Sequence, residues 1–244
     1  MRRSMPLVIV FCLAGASSGF AQHVAELNKD PAILGFRLGM TQQQVRDWFA
    51  ANSAEYPKPT IQTLKVTMPG AGEFDGAISV NSAKDKVKEQ FLFQFSPPFD
   101  GNVLVGILRD VNYGLDLGSP NARAVDRALS ERYGAWPSSS FIGRNSFWAS
   151  GSSLTEEAEL RSCTYSNQLS ANQLLPATQG CGITLDVEMS NNSSHPGSVF
   201  ILQTTLWNQD RIVENQKKAN AVVDAAEAEK AKSTVVPGSA APKL

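Results

Sequence analysis

Histidine is almost missing from this chain: its 244 residues hold two, His23 and His195. That scarcity removes zinc centres built on histidine clusters and most imidazole acid–base chemistry. His195 stands in Ser193-Ser194-His195-Pro196-Gly197, where proline and glycine mark an exposed turn. His23 would be the second residue of a processed chain, where a terminal amine and an imidazole could hold Cu2+, although chance placement beside a leader explains it as well. Cysteine is scarce too, with three residues and no Cys-x-x-Cys spacing for dithiol redox chemistry. The single Gly-x-Ser-x-Gly match, Gly15 to Gly19, falls in an apolar leader and not at a strand-to-helix elbow. Gly70-Ala71-Gly72 is not followed by Lys-Ser/Thr, so it forms a turn and not a phosphate cradle. Basic residues number 22 against 23 acidic ones, which leaves no basic stripe for phosphates, and nucleic acid is not an expected partner. Glu156-Glu157-Ala158-Glu159 could pair carboxylates for acid–base work, but acids beside a loop fit a solvated surface better. No catalytic residue, cofactor site or metal site is therefore expected.

What is present begins with an export signal. Arg2 and Arg3 precede an apolar run from Leu7 to Ala16, and Gly19 and Ala21 place small residues at −3 and −1 of a cut before Gln22. The run is too short for a stable bilayer span, so no membrane anchor is expected after cleavage, an uncleaved anchor being the alternative. Phe11 beside Cys12 is too bulky for a lipobox. Losing residues 1–21 leaves 20 basic against 23 acidic side chains, net −3. It also leaves two cysteines, Cys163 and Cys181. An even pair in an exported chain implies a disulfide rather than two reduced buried thiols, and a loop of this size is worth about 3 kcal/mol. The expected location is the periplasm or the medium.

Past a polar lead-in over 22–32, one stretch organises the rest: Gly39-Met40-Thr41-Gln42-Gln43-Gln44-Val45-Arg46-Asp47-Trp48-Phe49. Thr41 and Gln44 have capping-box spacing, and Val45, Trp48 and Phe49 form one apolar helical face. Strand-like runs follow at 61–67, 76–80 and 89–95; in the last, Phe91, Phe93 and Phe95 share a face on which Trp48 and Phe49 should pack. Pro97-Pro98 and Asp100-Gly101 turn the chain into a return strand over 102–113, an antiparallel hairpin. Ser119 as cap, Pro120 in the first turn and Gly134 after the end predict a second helix, with Ala124, Val125, Ala128, Leu129 and Tyr133 as its buried stripe. Strands are expected again at 146–149, 158–165, 182–189 and 198–207. The third of these alternates Ile183, Leu185, Val187 and Met189 with Thr184, Asp186 and Glu188, one dry face and one wet. Trp48, Trp136, Trp148 and Trp207 sit in apolar runs and are core residues first. Residues 208–232 predict a weakly amphipathic helix whose large apolar residues are Ile212, Val213, Val222 and Val223, and 233–244 a disordered tail.

Gly39-Met40-Thr41-x-x-x-Val45 resembles the Gly-Met-Thr/Ser-x-x-x-Val helix start of a cell-envelope superfamily. That superfamily includes the small lipoprotein of the outer-membrane β-barrel assembly machine and the repeats of β-lactamase-inhibitor protein. Leu129-Ser130-Glu131-Arg132-Tyr133-Gly134-Ala135-Trp136-Pro137 is similar, with one extra residue before the proline, to a Leu-x-x-Lys-Tyr-Gly-x-Pro stretch of exported proteobacterial proteins with that signature. The resemblance covers two short stretches. The chain departs from the superfamily in lacking a lipobox, in exceeding the assembly lipoprotein in length, and in lacking Gly-Met before its second helix. What the resemblance implies is fold and compartment: an α+β protein of two tandem helix-plus-antiparallel-sheet units, 22–117 and 118–207, in the envelope. Gly39, Met40, Thr41, Gln44, Val45 and Trp48 are then structural residues of the helix start.

Two function classes survive. One is a non-catalytic envelope module that binds another envelope protein, with the partner surface on the helix 208–232. The alternative is a small-ligand binder or enzyme using a cavity between helix and sheet. The lack of a catalytic constellation favours the first.

Overall fold

The computed structural model describes residues 32–114, 119–133, 144–150, 163, 177–191 and 195–234. The leader and its cleavage site, His23, the acids at 156–159, Gly134, Trp136, the strand expected at 158–165 apart from Cys163, and the tail beyond 234 lie outside them.

A short ribbon of β1 (Ala32–Ile33) and β2 (Phe36–Arg37) leads into α1 (Gln42–Ala51). Four strands follow: β3 (Thr60–Met68), β4 (Gly72–Lys84), β5 (Val87–Phe95) and β6 (Leu104–Asn112). Then come α2 (Ala122–Tyr133), β7 (Arg144–Ser150), β8 (Ile183–Asn191), β9 (Val199–Asn208) and α3 (Gln209–Thr234). The protein is α+β, and β3 to β9 form one seven-stranded sheet in the order β3-β4-β5-β6-β9-β8-β7, every pairing antiparallel. The strands of the two expected units are thus not two sheets. They meet where β6 pairs with β9 from Gly106↔Trp207 to Asn112↔Ile201.

Alternation along the strands gives the sheet two faces. The face toward α1 carries Ile78, Val80, Phe91, Phe93, Ile107, Leu185, Val187 and Leu206, all but closed to solvent, and receives Phe36, Val45, Phe49 and Tyr56. Phe49 stands 5.4 Å from Phe91 and 6.0 Å from Phe93 between ring centroids, edge to face. Trp48 departs from expectation: it is only partly buried and meets Phe36 at 4.2 Å, Phe49 and Tyr56 instead of the Phe91 row. Val45 and Phe49, four residues apart, hold the centre of the helix stripe, which rotates Trp48 to its rim. α2 closes the other end of this face, where Ala122 and Val125 pack with Met189, Val199 and Leu202.

The second helix starts later than its sequence predicts. Asn121, not Ser119, is the cap: its Oδ1 accepts the amide protons of Arg123 and Ala124. The Pro120 carbonyl accepts from Val199 N–H, and Asn121 bridges to Ser198, so the chain there is an extra sheet rung before it can turn helical. Ser119 Oγ donates to the Gly114 carbonyl.

The opposite face was expected wet along β8, yet Thr184 and Asp186 are buried. Ala77, Leu92, Leu108 and Trp207 form a second apolar cluster on this side. α3 crosses the sheet at the end where β9 finishes and β6 begins, and its first half is welded down. Ile212, Asn215 and Ala219 are buried, and Ala219 packs with Met68 and Phe74. The β3–β4 turn approaches so closely that a Cβ on Gly70, at φ +75°, would lie 2.2 Å from the Ala219 carbonyl oxygen, so only glycine fits. Among the described residues no helix is long and apolar enough to cross a membrane.

Candidate functional site

The helix-start residues come together as a strap on the central strand. Gly39, at φ +90°, donates its amide proton to the Leu104 carbonyl, Leu104 N–H returns one to the Met40 carbonyl, and Thr41 bridges to Val103. The capping box is complete: Thr41 Oγ1 accepts from Gln44 N–H at 3.2 Å, and Gln44 Oε1 accepts from Thr41 N–H at 2.8 Å. Val45 and the partly buried Met40 then face the core. With Trp48 on the rim, these residues hold the start of α1 against the β6 end of the sheet.

Cys163 and Cys181 form a disulfide, with Cα atoms 5.7 Å apart and both residues buried. The bridge is tied to α3 by hydrogen bonds. Gln209 Nε2 donates to the Cys163 carbonyl at 2.8 Å and to Thr184 Oγ1 at 3.0 Å, while Gln209 Oε1 accepts from Thr178 N–H. Asp210 accepts from Gly180 N–H. This amide explains why Thr184, expected wet, is buried: it belongs to the joint between disulfide and helix. Farther along α3, Arg211 Nε bonds Asp100 Oδ2 at 2.7 Å and Asn215 Nδ2 bonds it at 2.8 Å. Burial alone would raise the Asp100 pKa, but the hydrogen bonds from Arg211 and Asn215, with the Arg211 charge, hold it below the ordinary carboxylate value.

The charged cluster that sequence reasoning missed lies at the middle of the α1 face. Arg109 of β6 forms an ion pair through Nε with Glu89 Oε1 of β5, and their side chains keep 18% and 13% of their surface. The Tyr56 hydroxyl, following α1, feels the same pair: burial first, and the Glu89 charge second, push it up to about 12 against the opposing pull of Arg109. Tyr113, at the end of β6, is half-buried and titrates above its ordinary range, chiefly through burial; Arg109 opposes that rise and Glu89 adds to it. Arg109 pairs across the strand junction with Thr204, so that hydroxyl stands on the same face. Among the described residues, the Nη1 and Nη2 groups of Arg109 and the hydroxyls of Tyr113 and Thr204 make no hydrogen bond within the protein, and none of these atoms is sealed from solvent. The signal for this cluster was present in the pattern: Glu89 shares the inward parity of Phe91 and Phe93, and the hairpin sets Arg109 opposite Phe91.

On the opposite face, burial first and the Glu188 charge second hold Asp110 above the usual carboxylate range. Among the described residues no group of three or more His, Cys, Asp or Glu side chains is placed to hold a metal ion. His195 sits in the turn before β9, its carbonyl accepting from Ser198 N–H. Trp207 is buried, as its apolar surroundings require. Comparison with known protein families, with characterised proteins and with solved structures finds no match to this chain.

Proposed function

We propose that this is a non-catalytic protein-binding module of the periplasm or cell envelope, built from two tandem helix-plus-strand halves and exported by cleavage before Gln22. The disulfide supports an oxidising compartment, since such bridges persist there and are rare in the cytosol. The partner surface moves within α3. Its first half, assigned to the partner with the rest of 208–232, is spent on the protein's own sheet, which leaves the stretch after Ala219 for docking.

The observation that carries this reading is the exposure of that stretch. From Asn220 to Lys232 every residue is exposed except the half-buried Val223, and Val222 keeps 53% of its surface. Thirteen helical residues make an arm about 20 Å long. Alanines and the Glu229–Lys232 pair support the helix locally without a packed face. Such an arm presents side chains to a groove on another protein. Affinity capture from a periplasmic extract tests this with two baits, the processed chain and a version ending at Ala219. The species retained by the first should be missing from the second. Equal capture by both would remove the arm from the interface, and intact mass of the processed chain checks the cleavage site.

A further inference from the structure

We propose that the Arg109 cluster is a binding site for the carboxylate of a small amphiphile, a monoanionic head with an apolar tail. The site is separate from the helical arm and stands whether or not that arm binds a partner.

Arg109 has one occupied edge and one open edge. Its Nε side faces Glu89, while Nη1 and Nη2 have no partner among the described residues and remain within reach of solvent. That end of a guanidinium is a planar fork whose spacing matches the two oxygens of a carboxylate. A second donor stands opposite it across the strand junction in Thr204, and a third is the hydroxyl of Tyr113, which packs beside Met189, Val199 and Leu202 on the same face. The three come from the two halves of the chain, so the site exists only once β6 and β9 are paired.

Charge selects the head group. Glu89 already balances one unit of charge, which leaves a single free fork and, among the described residues of the cluster, no second cation. A dianionic phosphate would meet the Glu89 carboxylate without a second positive group, whereas a carboxylate needs only the one fork. The surroundings select the tail. Val111 and Leu202 pair beside Arg109–Thr204 on the same face, and Leu202 and the Tyr113 ring both keep some solvent contact. An apolar chain lying along Leu202 and Tyr113 would cover them while its head meets the fork.

Octanoate is the probe, titrated calorimetrically into the full processed chain with its disulfide intact. Octan-1-ol and octylammonium test the head, and acetate tests the tail. The expected result is one saturable octanoate site, with each of the three controls binding at least about tenfold weaker, as a charge-assisted fork and a buried tail imply. Tyr113→Phe and Thr204→Val leave the ion pair intact, so they test the site without unfolding it; each should weaken octanoate about threefold or more. The double variant Glu89→Gln/Arg109→Gln, which leaves no unpaired charge, should lose octanoate binding while keeping the far-ultraviolet circular dichroism of the parent. No saturable octanoate binding, equal affinity for octanol, or full affinity in the double variant would each overturn the site. None of these outcomes touches capture by the arm.

Discussion

α1 rests on the sheet through Val45 and Phe49, both closed to solvent, while the first half of α3 rests through an amide, an ion pair and two apolar residues, Ile212 and Ala219. The two helices show two ways of fixing a helix to one sheet. α1 is short and uses aromatic area, which is non-directional and large. α3 has little apolar area to offer and uses directed bonds instead, from Gln209 to the disulfide loop and from Arg211 and Asn215 to Asp100. Apolar packing tolerates small shifts and fails when volume is removed. Directed bonds hold one geometry and fail when a single partner is lost.

The largest test of that contrast is Phe49→Ala, which should cost roughly 3–5 kcal/mol by burial and cavity formation. Trp48→Ala, on the rim, should cost about half as much, because the space it leaves opens to solvent. Equal losses in urea melts would mean that Trp48 is as central as Phe49. On the α3 side, Cys163→Ser should lower stability by about 3 kcal/mol. Gln209→Ala should cost around 2 kcal/mol with the disulfide intact, by stranding the Cys163 carbonyl and the Thr178 amide. Amide exchange in the first turns of α3 should quicken in both variants; protection unchanged from the parent would deny the joint between bridge and helix.

Thr41→Ala removes one side of the capping box and should cost about 1 kcal/mol in the same melts, a loss confined to the α1 end. The smallest effect is electrostatic. Because the folded pKa of Asp100 lies below its ordinary value of 3.8, its contacts stabilise the fold fully above the ordinary carboxylate range. That contribution fades as pH falls through the folded pKa. Melting temperatures of the parent and of Asp100→Asn should therefore differ above about pH 5 and converge below it. A gap that widened in acid would reverse the sign assigned to the clamp.

Much of this architecture is written in local pattern. Thr41 and Gln44 cap α1 because the capping box needs only four consecutive residues, and Phe91 and Phe93 face Phe49 because strand parity is also local. The start of α2 was misplaced because Pro120 and Asn121 answer to Val199 and Ser198, far along the chain. The wet face expected on β8 failed at Thr184 for the same reason, since Gln209 reaches it from beyond the end of β9. The two units could be counted from their helices, but that their strands fuse into one sheet depends on β6 finding β9, which no short window contains. The candidate site was the least legible part. Arg109 looks like an ordinary strand cation until the hairpin register sets it beside Glu89 and the β9 register brings Thr204 opposite.

The β6–β9 pairing also sets an order of events. β6 is complete at Asn112, but its second neighbour is β9, which ends at Asn208. A chain threaded N-terminus first therefore presents Leu104-Val105-Gly106-Ile107-Leu108 as a bare, apolar sheet edge while all of α2, β7 and β8 are still arriving. Closing so long a loop costs entropy before any contact repays it, so this step is expected to be the slow one in folding, and a chain stalled before it would be open to edge-to-edge aggregation.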